Sequence, residues 1–76
     1  MPITAYLLIV AEVGREYEIA DRIRGMEGVR EARIVYGEFD IVAKLEVPDL
    51  SALDSMVTRM RAIQGIIKTS TLIASQ

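Results

Sequence analysis

The sequence contains no cysteine and no histidine. Zinc, haem and iron–sulfur centres therefore lose their usual ligands, and no cofactor is expected. Disulfide bonds are excluded, as is nucleophilic chemistry built on a thiol or a Ser–His pair. Any proton transfer falls to Glu, Asp, Lys or Tyr. A basic stripe is also missing. Nine Lys and Arg stand against eleven Asp and Glu, for a formal charge of -2 with the signs interspersed. A nucleic-acid surface normally concentrates positive charge to release phosphate counterions, so direct DNA binding is not expected. Arg22, Arg24, Arg59 and Arg61 instead fall late in two predicted helices, where cations favour the negative helix end. The opening "MPITAYLLIVAEV" has no basic leader and no cleavage pattern. Its apolar run is far shorter than the roughly 20 residues a membrane helix requires. A cytoplasmic protein without membrane contact is the expectation.

What is present is apolar surface. The 76 residues allow one domain, yet 51% of them are hydrophobic. A chain this short buries only about 60% of its unfolded surface when folded alone. Self-association is the ordinary remedy for such an excess.

A weak internal repeat organises the chain. "ADRIRGMEGVREARIV" (Ala20 to Val35) lies over "VTRMRAIQGIIKTSTL" (Val57 to Leu72). Arg22 then meets Arg59, Arg24 meets Arg61 and Gly28 meets Gly65. Each copy reads as helix, glycine break and strand, and an apolar strand precedes each helix. The first strand is predicted over Ile3 to Val13 and the first helix over Glu16 to Met26, with Ile19, Ala20, Ile23 and Met26 at helical spacing. Strands follow over Val29 to Tyr36 and Asp40 to Val47. Pro48 and Asp49 open the second helix, with Asp49 or Ser51 as N-cap and Ser51–Asp54 as a capping box. Leu50, Leu53, Val57 and Met60 form its apolar stripe, with Met56 and Ile63 beside it. Ile66 to Ser75 is the last strand.

The order strand–helix–strand–strand–helix–strand is the split βαβ arrangement: an α+β, ferredoxin-like βαββαβ sandwich. Right-handed crossovers put the first and third strands of an antiparallel four-stranded sheet at its centre, and both helices on one face. Ile3, Leu7 and Ile9 then point to one side, and Tyr6, Leu8 and Val10 to the other. Covering the second side with another subunit's sheet predicts a homodimer packed face to face.

The stretch "YGEFD" between the second and third strands has two readings. Gly37 supplies a turn conformation and Asp40 satisfies amides, or the segment binds a ligand. Here the whole chain resembles the effector-sensing (RAM) domain of the Lrp/AsnC family of transcriptional regulators. "VGREYEIADRI", "EGVREARIVYGEFDIVAKLEV", "DLSALDSMV" and "IQGIIKTSTLIA" carry the resemblance, above all the glycine-x-x-aspartate of Gly37 to Asp40 and the threonine-x-threonine of Thr69 to Thr71. The resemblance implies dimers joined into a ring, an octamer or similar. It also implies an amino-acid effector held between neighbouring dimers. Tyr36, Gly37, Glu38, Phe39 and Asp40 would form one wall. Thr69, Ser70 and Thr71 of a neighbouring chain would form the other. Full-length members carry a helix-turn-helix before this domain, whereas this chain starts at the first strand. A stand-alone sensing domain over residues 1–76 is therefore expected, with no DNA binding of its own and a full-length Lrp/AsnC paralogue as a conceivable partner.

Three alternatives stay open. An ACT-like regulatory domain shares the strand–helix order, with Gly14 where its ligand glycine lies, but its edge-to-edge association leaves the two-faced first strand unexplained. A small dimeric α+β barrel enzyme could use Lys44 and Glu46 as an acid–base pair, though a cross-strand ion pair or a polar oligomer interface accounts for these residues better. A purely structural ring-forming subunit is the third.

Overall fold

Alternation along the first strand decides the architecture. In a computed structural model that describes residues 2–75, β1 (Ile3–Ala11) buries Ala5, Leu7 and Ile9 completely and leaves Tyr6 37% exposed. The chain continues through α1 (Glu16–Arg24), β2 (Val29–Ile34), β3 (Ile41–Val47), α2 (Leu50–Arg61) and β4 (Ile66–Ile73). All strand pairs are antiparallel and the sheet order is β2-β3-β1-β4, which puts β1 and β3 at the centre. This is the ferredoxin-like order expected from the sequence. No helix among the described residues is long and apolar enough to cross a membrane.

The core lies between one sheet face and the two helices. Ile41, Ala43 and Leu45 of β3 join the buried residues of β1. Ile19, Ala20 and Ile23 cover them from α1, and Leu53, Met56 and Met60 from α2. No polar or charged side chain is buried among the described residues. Each large aliphatic side chain hidden here contributes about 1.5–3 kcal/mol, so the core is held by transfer from water alone.

Both helices end in the same way, as the internal repeat implies. Gly25 N–H donates to the Arg22 carbonyl at 3.2 Å and Met26 N–H to Ile23 at 3.0 Å. In α2, Ala62 N–H donates to Arg59 at 3.3 Å and Ile63 N–H to Met60 at 3.0 Å. These tighter i→i−3 bonds stop α1 at Arg24 rather than Met26. The glycines that follow, Gly28 and Gly65, have φ of 94° and 102°, a corner that side-chain-bearing residues avoid.

Four further boundaries differ from expectation. β1 stops at Ala11, not Val13: the Glu12 N–H turns to the Gly65 carbonyl at 2.8 Å and Val13 is almost fully exposed. β2 ends at Ile34 and β3 begins at Ile41, although the Val35 N–H still bonds across the hairpin to the Asp40 carbonyl at 2.9 Å. β4 ends at Ile73, although Ala74 N–H still reaches Thr4. Leu50 does not join the apolar stripe of α2: it is the first helical residue and lies exposed.

The cap of α2 is Asp49, whose carboxylate accepts from the Ala52 N–H at 2.8 Å. Ser51 lies inside the helix, so the Ser51–Asp54 capping box does not form. Asp49→Ala should accordingly cost about 0.5–2 kcal/mol in chemical denaturation. Ser51→Ala should stay within about 0.5 kcal/mol of the unaltered protein. The reverse order of effects would put the cap at Ser51.

Candidate functional site

The β2–β3 hairpin is anchored to the centre of the sheet by one side chain. Asp40 donates its backbone N–H to the Ile9 carbonyl at 2.8 Å, and its Oδ2 accepts from the Ala11 N–H at 2.8 Å. The carboxylate thus satisfies a backbone amide of β1 at the point where β3 no longer runs beside it. The other carboxylate oxygen takes no hydrogen bond among the described residues. Gly37 has a φ of 120°, and a Cβ placed there would meet no atom within 4 Å. Glycine is needed for the turn's backbone conformation, not for space.

Around this anchor the tip is open. Tyr36 is 100% exposed, Gly37 and Glu38 are exposed, and Phe39 and Asp40 are half-buried. The Tyr36 ring is thus left without packing neighbours at the tip of the tethered hairpin. Its anchor joins residues 29 positions apart, so nothing local in the sequence discloses that Ala11 is the acceptor's partner.

The threonine-x-threonine segment is split by the pleat of β4. Thr69 pairs with Ile9 and Thr71 with Leu7, both core residues, so the two threonines lie on the helix side of the sheet. Ser70 pairs with Leu8 and lies on the open side. Asp40 and Thr69 flank the same residue, Ile9, from opposite sides. Two strand spacings, about 9–10 Å, separate them within one chain.

Thr69 and Thr71 border a groove of about 470 Å³ between the outer edge of β4 and α2, lined also by Val57, Arg61, Ile66, Ile67 and Lys68. Val57 and Arg61, four residues apart, share the side of α2 that meets it. From the sequence, Arg61 reads only as a cation at a helix end. The four-residue spacing from Val57 was the available sign of its second position.

The open sheet face is apolar along its middle and charged toward β2. Leu8, Val10 and Val42 are half-buried there, beside Tyr6 and the exposed Leu72. Lys44 and Glu46 do not pair: Arg30 bonds Glu46 at 3.1 Å, and Arg33 is bonded to Glu31. The Arg33 guanidinium holds the Glu31 carboxyl below its ordinary range. That contribution is complete above the ordinary carboxylate pKa and fades as pH falls through the lowered one. No cluster of three or more metal-ligating side chains occurs among the described residues.

The hairpin geometry makes a specific prediction. Asp40→Ala leaves the amide of buried Ala11 without its acceptor and should destabilise the fold by about 1–3 kcal/mol. Asp40→Asn keeps an acceptor oxygen and should cost much less. Denaturant titration of both variants checks this, and equal losses would mean that the charge, not the bond, holds the hairpin.

Comparison with known proteins agrees with the fold. The family model described as the Lrp/AsnC ligand binding domain matches residues 4–76. A hypothetical protein of Pyrococcus horikoshii is 39% identical, with a TM-score of 0.91 over 97% of this chain and 90% of that one. A transcriptional regulator of Neisseria meningitidis, solved as its L-Met complex, shares the fold at 16% identity. Its TM-score is 0.87, over 97% of this chain and 50% of the regulator. A homocitrate synthase of Sulfolobus acidocaldarius is 36% identical over 53 residues, which are 70% of this chain and 11% of the enzyme. The chain thus spans about a tenth of the length of that curated relative. It belongs to the Lrp/AsnC ligand-binding domain family.

Proposed function

We propose that this chain senses an amino acid and passes the signal on through its state of assembly, without binding DNA itself and without catalysis. The observation that carries the reading is the hairpin. Asp40 is fixed by the Ala11 amide with one oxygen to spare, and the neighbouring Tyr36 is fully exposed. A carboxylate held this way can receive an ammonium in a charge-assisted hydrogen bond at little further ordering cost. Hydroxyls such as Thr69, Ser70 and Thr71 can serve a ligand carboxylate. The family is a ligand-binding one, and the Neisseria regulator of the same fold was solved as its L-Met complex.

Assembly follows from the open sheet face. In the proposed homodimer Tyr6, Leu8, Val10, Val42 and Leu72 meet their counterparts across a two-fold axis. Dimers then join into a ring, with the hairpin of one dimer facing β4 of the next. The setting is cytoplasmic. A full-length Lrp/AsnC paralogue would give the ring a route to transcription. The homocitrate synthase match favours a second reading, in which the same sensing unit governs a biosynthetic enzyme of amino-acid metabolism.

Calorimetry against the twenty amino acids tests the effector. At least one should bind, and Asp40→Asn, which retains the hairpin's bond, should weaken it by about 1.5–3 kcal/mol. No binding at millimolar concentration, or binding indifferent to Asp40→Asn, would reduce the hairpin to a turn. For the dimer, Leu8→Lys should yield monomer or unfolded chain in sedimentation, because a charge buried without a partner is costly. A folded oligomer of unchanged mass would exclude sheet-to-sheet packing.

A further inference from the structure

We infer that the hairpin tip of one chain seats in the groove between α2 and the free edge of β4 of a chain in the next dimer. Glu38 pairs there with Arg61, and the Tyr36 ring lies against the same guanidinium. This rests on the ring proposed above and supplies the contact between its dimers. The two surfaces lie toward opposite edges of one sheet, since the hairpin joins β2 to β3 and β4 is the edge strand beyond β1. Two different surfaces that fit each other make a heterologous contact, which repeats from copy to copy until the assembly closes.

Each surface has what the other lacks. The tip, residues 36–40, carries two carboxylates and no cation. Asp40 is engaged with the Ala11 amide, whereas Glu38 is exposed and belongs to none of the four ion pairs among the described residues. No carboxylate lines the groove. Lys68 pairs with Val10 and so turns to the open sheet face, which leaves Arg61 as the cation on the α2 side. Arg61 is exposed and outside those four ion pairs as well. A guanidinium matches a carboxylate with its fork of donors and stacks on an aromatic face, so one arginine can hold both Glu38 and Tyr36. Tyrosine suits the place, with an apolar ring for half-buried Val57 and Ile66 and a hydroxyl for Thr69 or Thr71. The strand edge also calls for cover. Ala74 N–H bonds Thr4 across the β1–β4 pair, so the alternation of an antiparallel ladder turns the backbone groups of Thr69 and Thr71 outward. The opposite edge strand, β2, guards its six residues with Arg30, Glu31 and Arg33, whereas the eight of β4 include one charge, Lys68.

Charge exchange in the full chain, read by native mass, tests the contact. Glu38 and Arg61 are exposed and make no side-chain hydrogen bond among the described residues, so reversing either charge leaves the fold intact. The unaltered protein should assemble beyond the dimer. Glu38→Arg and Arg61→Glu should each stop it at the dimer, because like charges then face each other and weaken association between dimers by roughly tenfold or more. Tyr36→Ala should stop it there too. Glu38→Arg and Arg61→Glu combined in one chain restore opposite charges and should recover the larger assembly. If any of the three single variants assembles as the unaltered protein does, or if the double variant stays a dimer, the contact is wrong. An unaltered protein that never exceeds the dimer overturns it as well. Calorimetry against the twenty amino acids separates this outcome from sensing. Binding that depends on Asp40 while the charge exchange fails leaves the effector reading standing alone. Assembly that follows the charge exchange while no amino acid binds leaves the contact standing without an effector.

Discussion

The central strand has apolar side chains on both faces, and two helices can cover only one. Leu7 and Ile9 are sealed beneath α1 and α2, while Tyr6, Leu8 and Val10 occupy the other side of the same strand. No rotation of the strand relieves this, because a shift of one residue merely exchanges the two sets. A folded single chain must therefore present an apolar sheet face to its surroundings. The proposed dimer is the direct answer to that constraint, and the proposed ring would be built upon it.

The same sheet gives the candidate site its two parts. β1 is bordered by β3 on one side and β4 on the other. The Asp40 carboxylate completes β1 on the β3 side, and Thr69 pairs with it on the β4 side. Neither part lies deep in the core, so a ligand there meets the hairpin tip and the β4 groove at the periphery of the chain. In the proposed assembly a neighbouring molecule completes the site, which would couple binding to assembly.

Most of the architecture was legible in the sequence because it rests on periodicity. Alternation in β1 and β3, helical spacing of Ile19, Ala20 and Ile23, and the repeated helix–glycine–strand unit each specify their element locally. The element ends were less legible, because tertiary bonds set them. Glu12 turns to Gly65, and Asp40 captures the Ala11 amide, across distances in sequence that no local pattern encodes. Asp49 and Ser51 were equal candidates for the cap until the backbone put Asp49 outside the helix. For the site, the sequence marked the segments Tyr36–Asp40 and Thr69–Thr71. It could not show that the pleat parts Ser70 from the two threonines, nor that Arg61 borders the same groove.

Coupling of assembly to an effector is the central claim, and the native mass of the unaltered protein tests it most directly. Measured at micromolar concentration, with and without the amino acid that binds, the mass should fall on even multiples of the chain. Ligand should shift the population toward the larger closed assembly, since one ligand then contacts two dimers. A folded monomer, or a distribution of assemblies that saturating ligand leaves unchanged, would contradict the account.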